Sequence, residues 1–224
     1  MTLHTIVIPT LNEETKIQAC LMQLQGFRAK GIEVIVVDGG SVDKTPQLVE
    51  GLCDQFVSAV PCRAVQMNAG ARQARGEMIF FLHVDTQLPE DFLEIINSIE
   101  TDNHCWGRFD VKLSGQQWLF RVIEIMINGR SRLTGIATGD QVIFMTQKIY
   151  RTVGGFPEIA LMEDIAMSRK LRKIHSPLCL RQRVTTSSRR WEKHGIASTI
   201  IKMWWLRFSY FMGIDPARLA KQYD

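Results

Sequence analysis

Short apolar runs alternate with segments of helical pattern along the first two-thirds of the chain. The apolar runs span residues 4–9, 33–37 and 78–82, and the helical segments between them span 13–24, 46–53 and 65–75. A continuous apolar run of this length indicates a strand that is buried on both faces, as in a parallel sheet. The alternation therefore predicts an α/β fold, with a doubly wound, mainly parallel sheet and right-handed crossovers.

Local signals support two of these helices. Asn12 stands where it can cap the first helix, and Pro46 follows Thr45 at the start of the second. Asparagine is a preferred N-cap residue, and proline is tolerated in the first turn. Both helices are therefore expected to begin near these residues.

The pattern changes after residue 100. Strands are predicted at 105–113, 141–145 and 178–186, and helices at 118–127 and 162–173. No Gly/Ser linker or charge run separates the two halves. We therefore predict one domain over residues 1–195, followed by a helical extension over residues 196–224.

The apolar stretch at 196–214 allows two interpretations. Lys202 and Arg207 fall on opposite faces of a helix, which argues against a membrane-spanning segment. The wide apolar side carries five aromatic residues, namely Trp204, Trp205, Phe208, Tyr210 and Phe211. Such a helix either packs on the domain or lies in the plane of a membrane surface.

Composition limits the function classes. Hydrophobic residues make up 46% and charged residues 22% of 224 residues, as in ordinary globular proteins. The net charge of +4 suits an anionic substrate or a membrane surface, but it is too small to indicate nucleic acid. Five cysteines without a CxxC pair argue against a disulfide framework or structural zinc, and favour a reducing cytoplasmic location. The apolar N-terminus lacks a basic leader, so we interpret it as a strand and not as a signal peptide.

Polar clusters follow each of the three apolar runs of the first half. They are residues 10–13 (TLNE), 38–43 (DGGSVD) and 83–85 (HVD). In open α/β sheets, ligands bind beyond the carboxyl ends of the strands. The three clusters are therefore expected to converge at one edge of the sheet and to form a binding site.

The second and third clusters suggest specific chemistry. Asp38 precedes Gly39 and Gly40, and glycines allow a ligand to approach the backbone closely. Its carboxylate would accept hydrogen bonds from a base or ribose, or else from backbone amides of its own turn. His83 and Asp85 point the same way along a strand and would meet Mg²⁺ or Mn²⁺ on a diphosphate. Alternatively, Asp85 only caps the helix that follows.

Two later motifs add a candidate base and a candidate anion site. Glu163 and Asp164 begin a predicted helix, where one carboxylate can face a pocket as general base while the other meets the helix N-terminus. Both are also explained as ordinary first-turn acids. Arg190 can pair with phosphate, and Trp191 offers a stacking face, although this segment is also explained as a solvated basic loop.

Taken in order, these segments resemble a known family. IVIPTLNEE, VVDGGSVDKT, GARQARGEMIFFLHVDT, GGFPEIALMED and SSRRW follow one another over roughly residues 4–195. The chain looks like a family 2 glycosyltransferase with the GT-A fold, a single Rossmann-like domain, here with an aromatic-rich C-terminal helix. It is similar to the small soluble bacterial members whose metal motif is HxD.

The resemblance implies the following roles. The nucleotide, commonly a uracil nucleotide, would be bound by Thr10, Glu13, Asp38, Gly39 and Arg72. Asp85, with His83, would hold Mn²⁺ or Mg²⁺ on the diphosphate. Asp164 would deprotonate the acceptor, and the sugar would be transferred with inversion. Glu163, Arg190 and Trp191 would contact the acceptor or a phosphate.

Two departures from the family pattern narrow this expectation. His83 replaces the usual first aspartate of a DxD motif, so its part in metal binding stays open. Ser187 replaces the glutamine of QxxRW, which favours addition of a single sugar over polymer synthesis. The aromatic C-terminal helix also allows a lipid-linked acceptor and peripheral membrane contact.

Two other functions fit the same layout. A sugar nucleotidyltransferase would carry a glycine-rich basic loop after the first strand, where this chain has the acidic segment TLNEE. A non-catalytic nucleotide-binding or membrane-scaffold protein would share the fold but would not need both Asp85 and Asp164.

Overall fold

The computed structural model describes residues 4–99 and 105–223. Strands and helices alternate along most of this part of the chain. In order, the strands are β1 His4–Thr10, β2 Glu33–Asp38, β3 Gln55–Ser58, β4 Met78–Phe81, β5 Thr86–Gln87, β6 Trp106–Leu113, β7 Phe144–Thr146 and β8 Leu178–Thr186. The helices are α1 Ile17–Arg28, α2 Thr45–Val49, α3 Arg63–Gln73, α4 Phe92–Asn97, α5 Trp118–Thr134, α6 Gln147–Val153, α7 Glu163–Arg172, α8 Arg189–His194, α9 Ile196–Phe211 and α10 Pro216–Tyr223, with a 3₁₀ turn at Gly139–Gln141.

The strands form one sheet in the order β3-β2-β1-β4-β7-β6-β8-β5. The first four strands in this order are parallel, and β7 runs antiparallel between β4 and β6. The register pairs Thr10 with Asp38, so the ends of β1 and β2 lie side by side. This places the polar residues that follow these strands at the same edge of the sheet.

Apolar side chains cover both faces of the sheet, which explains the continuous apolar runs. Ile6 and Ile8 face the layer containing α1 and α4, whereas Val7 faces the layer containing α3 and α6. A chain of phenylalanine rings fills the first layer. Ring centroids lie 5.2 Å apart for Phe80 and Phe92, 6.0 Å for Phe92 and Phe109, and 5.8 Å for Phe109 and Phe144.

Helix α5 presents polar side chains to the sheet. The Leu113 amide donates to Glu124 Oε1 at 2.7 Å, and the Val111 amide donates to Asn128 Oδ1 at 2.9 Å. Asn128 Nδ2 returns a hydrogen bond to the Val111 carbonyl at 3.0 Å. These bonds attach α5 to β6 through its polar residues.

Several sequence predictions are wrong at the ends of elements. Helix α1 begins at Ile17 and not at residue 13, because Asn12 has a left-handed φ of 53° and does not cap it. Residue 141 lies in the 3₁₀ turn, so β7 begins only at Phe144. Helix α5 extends to Thr134, where Gly135 with φ of 63° ends it.

Helices α9 and α10 pack on the rest of the protein. Leu206 and Leu219 are buried together with Ile136, Met162 and Ile165. The inward face of α9 also carries Thr199 and Ser209, whereas Trp204 and Phe208 are more than half exposed. The aromatic side of α9 therefore faces outward. Over residues 4–99 and 105–223, no helix has the length and apolar character needed to cross a bilayer.

Candidate active site

Hydrogen bonds join the loops that follow β1 and β2. The Asn12 amide donates to Ser41 Oγ at 2.8 Å, and the Val42 amide donates to Asn12 Oδ1 at 2.9 Å. The Gly39 amide donates to the Thr10 carbonyl at 2.8 Å. Asn12 thus connects the first two polar clusters of the sequence.

Asp38 organises its own loop. Its Oδ2 accepts hydrogen bonds from the amides of Gly40 and Ser41, both at 2.9 Å, and its Oδ1 accepts one from Ser41 Oγ at 2.5 Å. The side chain is buried at the end of β2. Asp38 thus holds the conformation of its own loop through these hydrogen bonds. Its contact with a nucleotide stays a prediction.

Gln66 is a buried residue that sequence reasoning missed. Its Nε2 donates to the carbonyls of Thr10 at 2.6 Å and Val37 at 3.0 Å, which links α3 to the ends of β1 and β2. A side chain at Gly39 would press on this amide, since an added Cβ would lie 3.1 Å from Gln66 Nε2. A glutamine inside a helix gives no sequence signal for this role.

A cavity of about 700 Å³ opens beside these loops. Its volume is in the range usual for small-molecule sites. Its walls include seven of the predicted site residues, which come from distant segments: Glu13, His83, Asp85, Glu163, Asp164, Arg190 and Trp191. Arg63 and Asp140, which were not predicted, also line it.

Four predicted nucleotide-binding residues lie outside the walls of this cavity. Thr10 and Asp38 are buried at the strand ends, with Gly39 next to them, and Arg72 is exposed on α3. The Thr10 hydroxyl donates to the Val37 carbonyl at 3.3 Å. Their roles in nucleotide binding stay predictions.

Asp164 is held at the N-terminus of α7. Its Oδ2 accepts the Gly139 amide at 3.0 Å, and its Oδ1 accepts the Ile165 amide at 2.7 Å. The preceding Met162 has a left-handed φ of 70°, a conformation that is uncommon without glycine. This turn directs the two acids of α7 into the cavity wall.

Glu163 is buried beside Asp164, with only 5% of the residue exposed. Burial, together with the neighbouring charge of Asp164, raises the pKa of Glu163 to about 7 against the opposing effect of Arg63. Arg63 Nη1 lies 3.6 Å from Glu163 Oε1. Near neutral pH, Glu163 is therefore partly protonated.

His83 lies against the 3₁₀ turn, with its Nδ1 3.7 Å from Asp140 Oδ1. Desolvation, aided by Arg63, lowers the pKa of His83 to about 3, so the imidazole is neutral at physiological pH. Gly139 leaves room for this ring, because an added Cβ would collide with it.

Asp140 adds a carboxylate to the cavity that the sequence reasoning missed. Desolvation raises its pKa, as do the nearby charges of Asp85 and Asp164. Its only sequence signal is the polar triplet TGD just before the apolar run of β7.

Asp85 has the properties of a metal ligand. Its carboxylate lines the cavity, and none of the hydrogen bonds or ion pairs of residues 4–99 and 105–223 engages it. No three His, Cys, Asp or Glu side chains in these ranges converge on a common metal position. Mg²⁺ is commonly held by one or two carboxylates together with substrate phosphates and water, so Asp85 fits a metal that arrives with a diphosphate.

The C-terminal helices complete the cavity. The Arg190 guanidinium lies 4.1 Å from the centroid of the Tyr223 ring, and both residues line the cavity. Trp191 packs against Phe120 and Ile123 of α5. Tyr223 was missed because its place depends on how α10 folds back.

The family assignment follows from comparison with known proteins. A family model described as Glycosyl transferase family 2 matches residues 5–152. The chain belongs to this family. The resemblance to family 2 glycosyltransferases found in the sequence is thereby confirmed, whereas the HxD metal motif stays a prediction.

Solved structures that are similar to this protein have the GT-A fold. A Staphylococcus aureus TarS fragment, residues 1–349, superposes with a TM-score of 0.66 at 21% identity, covering 84% of this chain and 61% of that one. The Pyrobaculum calidifontis mannosyltransferase PcManGT, solved with GDP-Man and Mn²⁺, gives 0.61 at 21% identity, covering 81% and 56%. TarS 1–349 has also been solved with UDP-GlcNAc, and that structure gives 0.60 at 20% identity, covering 84% and 58%. The predicted GT-A fold is confirmed.

A curated relative shares part of the sequence. The undecaprenyl-phosphate 4-deoxy-4-formamido-L-arabinose transferase of Pseudomonas aeruginosa is 25% identical over 162 residues, which is 62% of this chain and 44% of the relative. The family 2 chain thus spans less than half the length of this relative.

Proposed function

We propose that the protein transfers a single sugar from a nucleoside diphosphate sugar, with UDP as the expected nucleotide, to an acceptor hydroxyl with inversion and with a divalent metal ion. The observation that carries this proposal is the convergence of Asp85 and Asp164 in one cavity. The two residues are far apart in sequence, and one can serve the departing diphosphate while the other serves the acceptor.

The donor would enter along the joined loops after β1 and β2. The buried Asp38 and Gln66 hold these loops in one arrangement. UDP-GlcNAc and GDP-Man in the structures of similar proteins support a nucleotide-sugar donor. The preference for uracil rests on the resemblance of the sequence to the family.

Asp85 would hold Mn²⁺ or Mg²⁺ on the diphosphate. The neutral His83 lines the same cavity, but both residues lie in the turn after β4 and not along the strand, so the prediction that a strand directs both side chains to one ion is wrong. Bound at Asp85, such an ion would supply positive charge to stabilise the departing nucleoside diphosphate. Arg63 and Arg190 line the same cavity and can add hydrogen bonds to the phosphates. The Mn²⁺ in the structure of the similar mannosyltransferase supports the use of a divalent metal ion.

Asp164 would act as the general base. Two backbone amides fix its orientation, and the remaining lone pairs of the carboxylate can accept a proton from the acceptor. As that proton moves to Asp164, the acceptor oxygen bonds to the anomeric carbon and the bond to the diphosphate oxygen breaks. This single displacement inverts the anomeric centre.

Replacement of Asp164 by asparagine tests the proposal. With a panel of nucleotide sugars and acceptors, we expect Asp164→Asn to keep donor affinity and to lose about 10²–10⁴-fold in the release of nucleoside diphosphate. Asp91→Asn, an exposed aspartate outside the cavity, is the matched control.

The products decide between this reaction and its alternatives. Release of pyrophosphate would identify a nucleotidyltransferase. Donor binding without turnover across the acceptor panel would identify a non-catalytic nucleotide-binding protein. Unchanged turnover of Asp164→Asn would remove Asp164 as the base.

A further inference from the structure

Helix α5 carries an apolar stripe on its solvent side. Its inward side holds the polar residues Glu124, Asn128 and Ser131 as well as Phe120 and Ile123. The outward stripe follows the helical period, with Trp118 72% and Ile125 71% exposed, and includes Leu119, Val122 and Met126. A helix surrounded by water usually has the opposite distribution, with its polar side outward.

Helix α9 shows the same reversal. It buries Thr199, Leu206 and Ser209. Its exposed side again follows the helical period and holds Ile201, Trp204, Trp205, Phe208 and Phe211. An exposed apolar surface of this extent marks an interaction site.

The two stripes border the same cavity. Met126 of α5 and Trp204 of α9 are exposed and also line the cavity. Beneath them, Ile123 and Ile127 of α5 pack in one cluster with Ile200 of α9. We call the exposed residues of both stripes the α5–α9 face.

The charge of the segments around this face suits an anionic partner. The only acidic residue in the two helices, Glu124, is buried and bonded, whereas the helices contain five lysines and arginines. Residues 189–224 hold seven lysines and arginines against three acidic residues, which equals the entire net charge of +4. The remainder of the chain is balanced, so the positive charge is concentrated in the segment that contains α8 and α9.

The positions of the tryptophan residues also indicate what kind of surface the α5–α9 face contacts. Trp118, Trp204 and Trp205 are exposed on the α5–α9 face, whereas Trp106 is buried. Tryptophan is enriched at the boundary between membrane and water, where its ring is buried and its N–H stays hydrated. Apolar helices with aromatic residues and flanking cations are typical of proteins that lie on anionic bilayers.

We propose that the α5–α9 face docks the protein on the surface of an anionic lipid bilayer, with the cavity opening at that surface. The proposal does not depend on the chemistry of transfer, because docking needs neither Asp85 nor Asp164. An acceptor anchored in the bilayer would reach the cavity without leaving the lipid.

Vesicle flotation tests the proposal directly. The full chain is mixed with vesicles of phosphatidylcholine alone or with phosphatidylglycerol. We expect binding to the mixed vesicles, weaker binding to phosphatidylcholine alone, and a decrease as salt is added.

Paired variants test each helix separately. Trp118→Ser with Ile125→Ser alters α5, and Ile201→Ser with Phe208→Ser alters α9. Each pair should lower partitioning into the mixed vesicles at least about tenfold, since binding scales with the apolar area inserted. The control pair, Phe56→Ser with Val60→Ser, removes side chains that are 44% and 60% exposed near β3 and should leave partitioning unchanged.

Three outcomes would overturn the proposal. These are failure of the unaltered protein to float with anionic vesicles, unchanged partitioning in either the α5 pair or the α9 pair, and an equal loss in the control pair. Sedimentation of the protein alone provides a further check, because self-association abolished by the same substitutions would make the face a contact between two copies. Retained thermal unfolding temperatures would show that all variants are folded.

Discussion

Glu163 makes a measurable contribution to the pH dependence of stability. Its pKa rises from 4.5 to about 7 in the folded protein because the side chain is buried beside Asp164. At 1.36 kcal/mol per pKa unit, this shift amounts to about 3 kcal/mol. Because Glu163 is only 5% exposed, solvent screens little of this electrostatic free energy. Glu163→Gln removes the ionisation with a small change in shape.

The direction in which stability changes with pH follows from proton binding in the folded and unfolded states. Between pH 4.5 and 7 the unfolded chain has released the proton of Glu163 while the folded protein still holds it. The folded state therefore loses stability as pH rises through this window, and the loss is complete above the folded pKa. Relative to the unaltered protein, the free energy of unfolding of Glu163→Gln should increase by about 2 kcal/mol between pH 5.5 and pH 8.

Urea unfolding at several pH values from 5.5 to 8 measures this gain. Glu50→Gln, on an exposed glutamate, controls for the removal of one negative charge. Parallel stability curves for Glu163→Gln and the unaltered protein would refute the reasoning. They would show that Arg63 compensates the buried charge fully, so that ionisation of Glu163 costs nothing in the folded state.

Three further predictions concern the metal site and close packing. Asp85→Ala should weaken Mn²⁺-dependent binding of UDP in calorimetry, and unaltered affinity at saturating Mn²⁺ would exclude Asp85 as a ligand. Gly139→Ala should destabilise the protein by about 1–3 kcal/mol because the new methyl group meets the His83 ring, and His83→Ala in the same chain should restore much of the melting temperature. Gly70→Ala should cost a similar amount through collision with the β-sheet below α3, whereas Gly26→Ala, which meets open space on α1, should be neutral or stabilising by up to about 1 kcal/mol.

The central parallel strands β1, β2 and β4 were predictable because they are buried on both faces, whereas β3 and β8 are largely half-buried or exposed. β1, β2 and β4 lie within one residue of the apolar runs, and β8 matches its predicted range. Their polar continuations meet at one edge because parallel strands end together. Asn12 shows the limit of such reasoning, since its side chain bonds the neighbouring loop instead of capping α1.

The cavity was only partly predictable. Asp85 and the acids of α7 were found because they follow recognisable apolar or glycine-rich segments. Gln66, Asp140 and Tyr223 were missed because their positions depend on tertiary packing. The outward direction of the aromatic residues on α9 also depends on packing, because the helix buries Thr199 and Ser209 in their place.

The participation of α10 in the cavity wall couples the packing of this helix to the shape of the site. Tyr223 lies against Arg190, and both residues line the cavity. Leu219 anchors α10 in the buried cluster that also contains Leu206, Met162 and Ile165. A substitution that loosens Leu219 would therefore alter ligand binding from a distance, without changing any residue of the cavity wall.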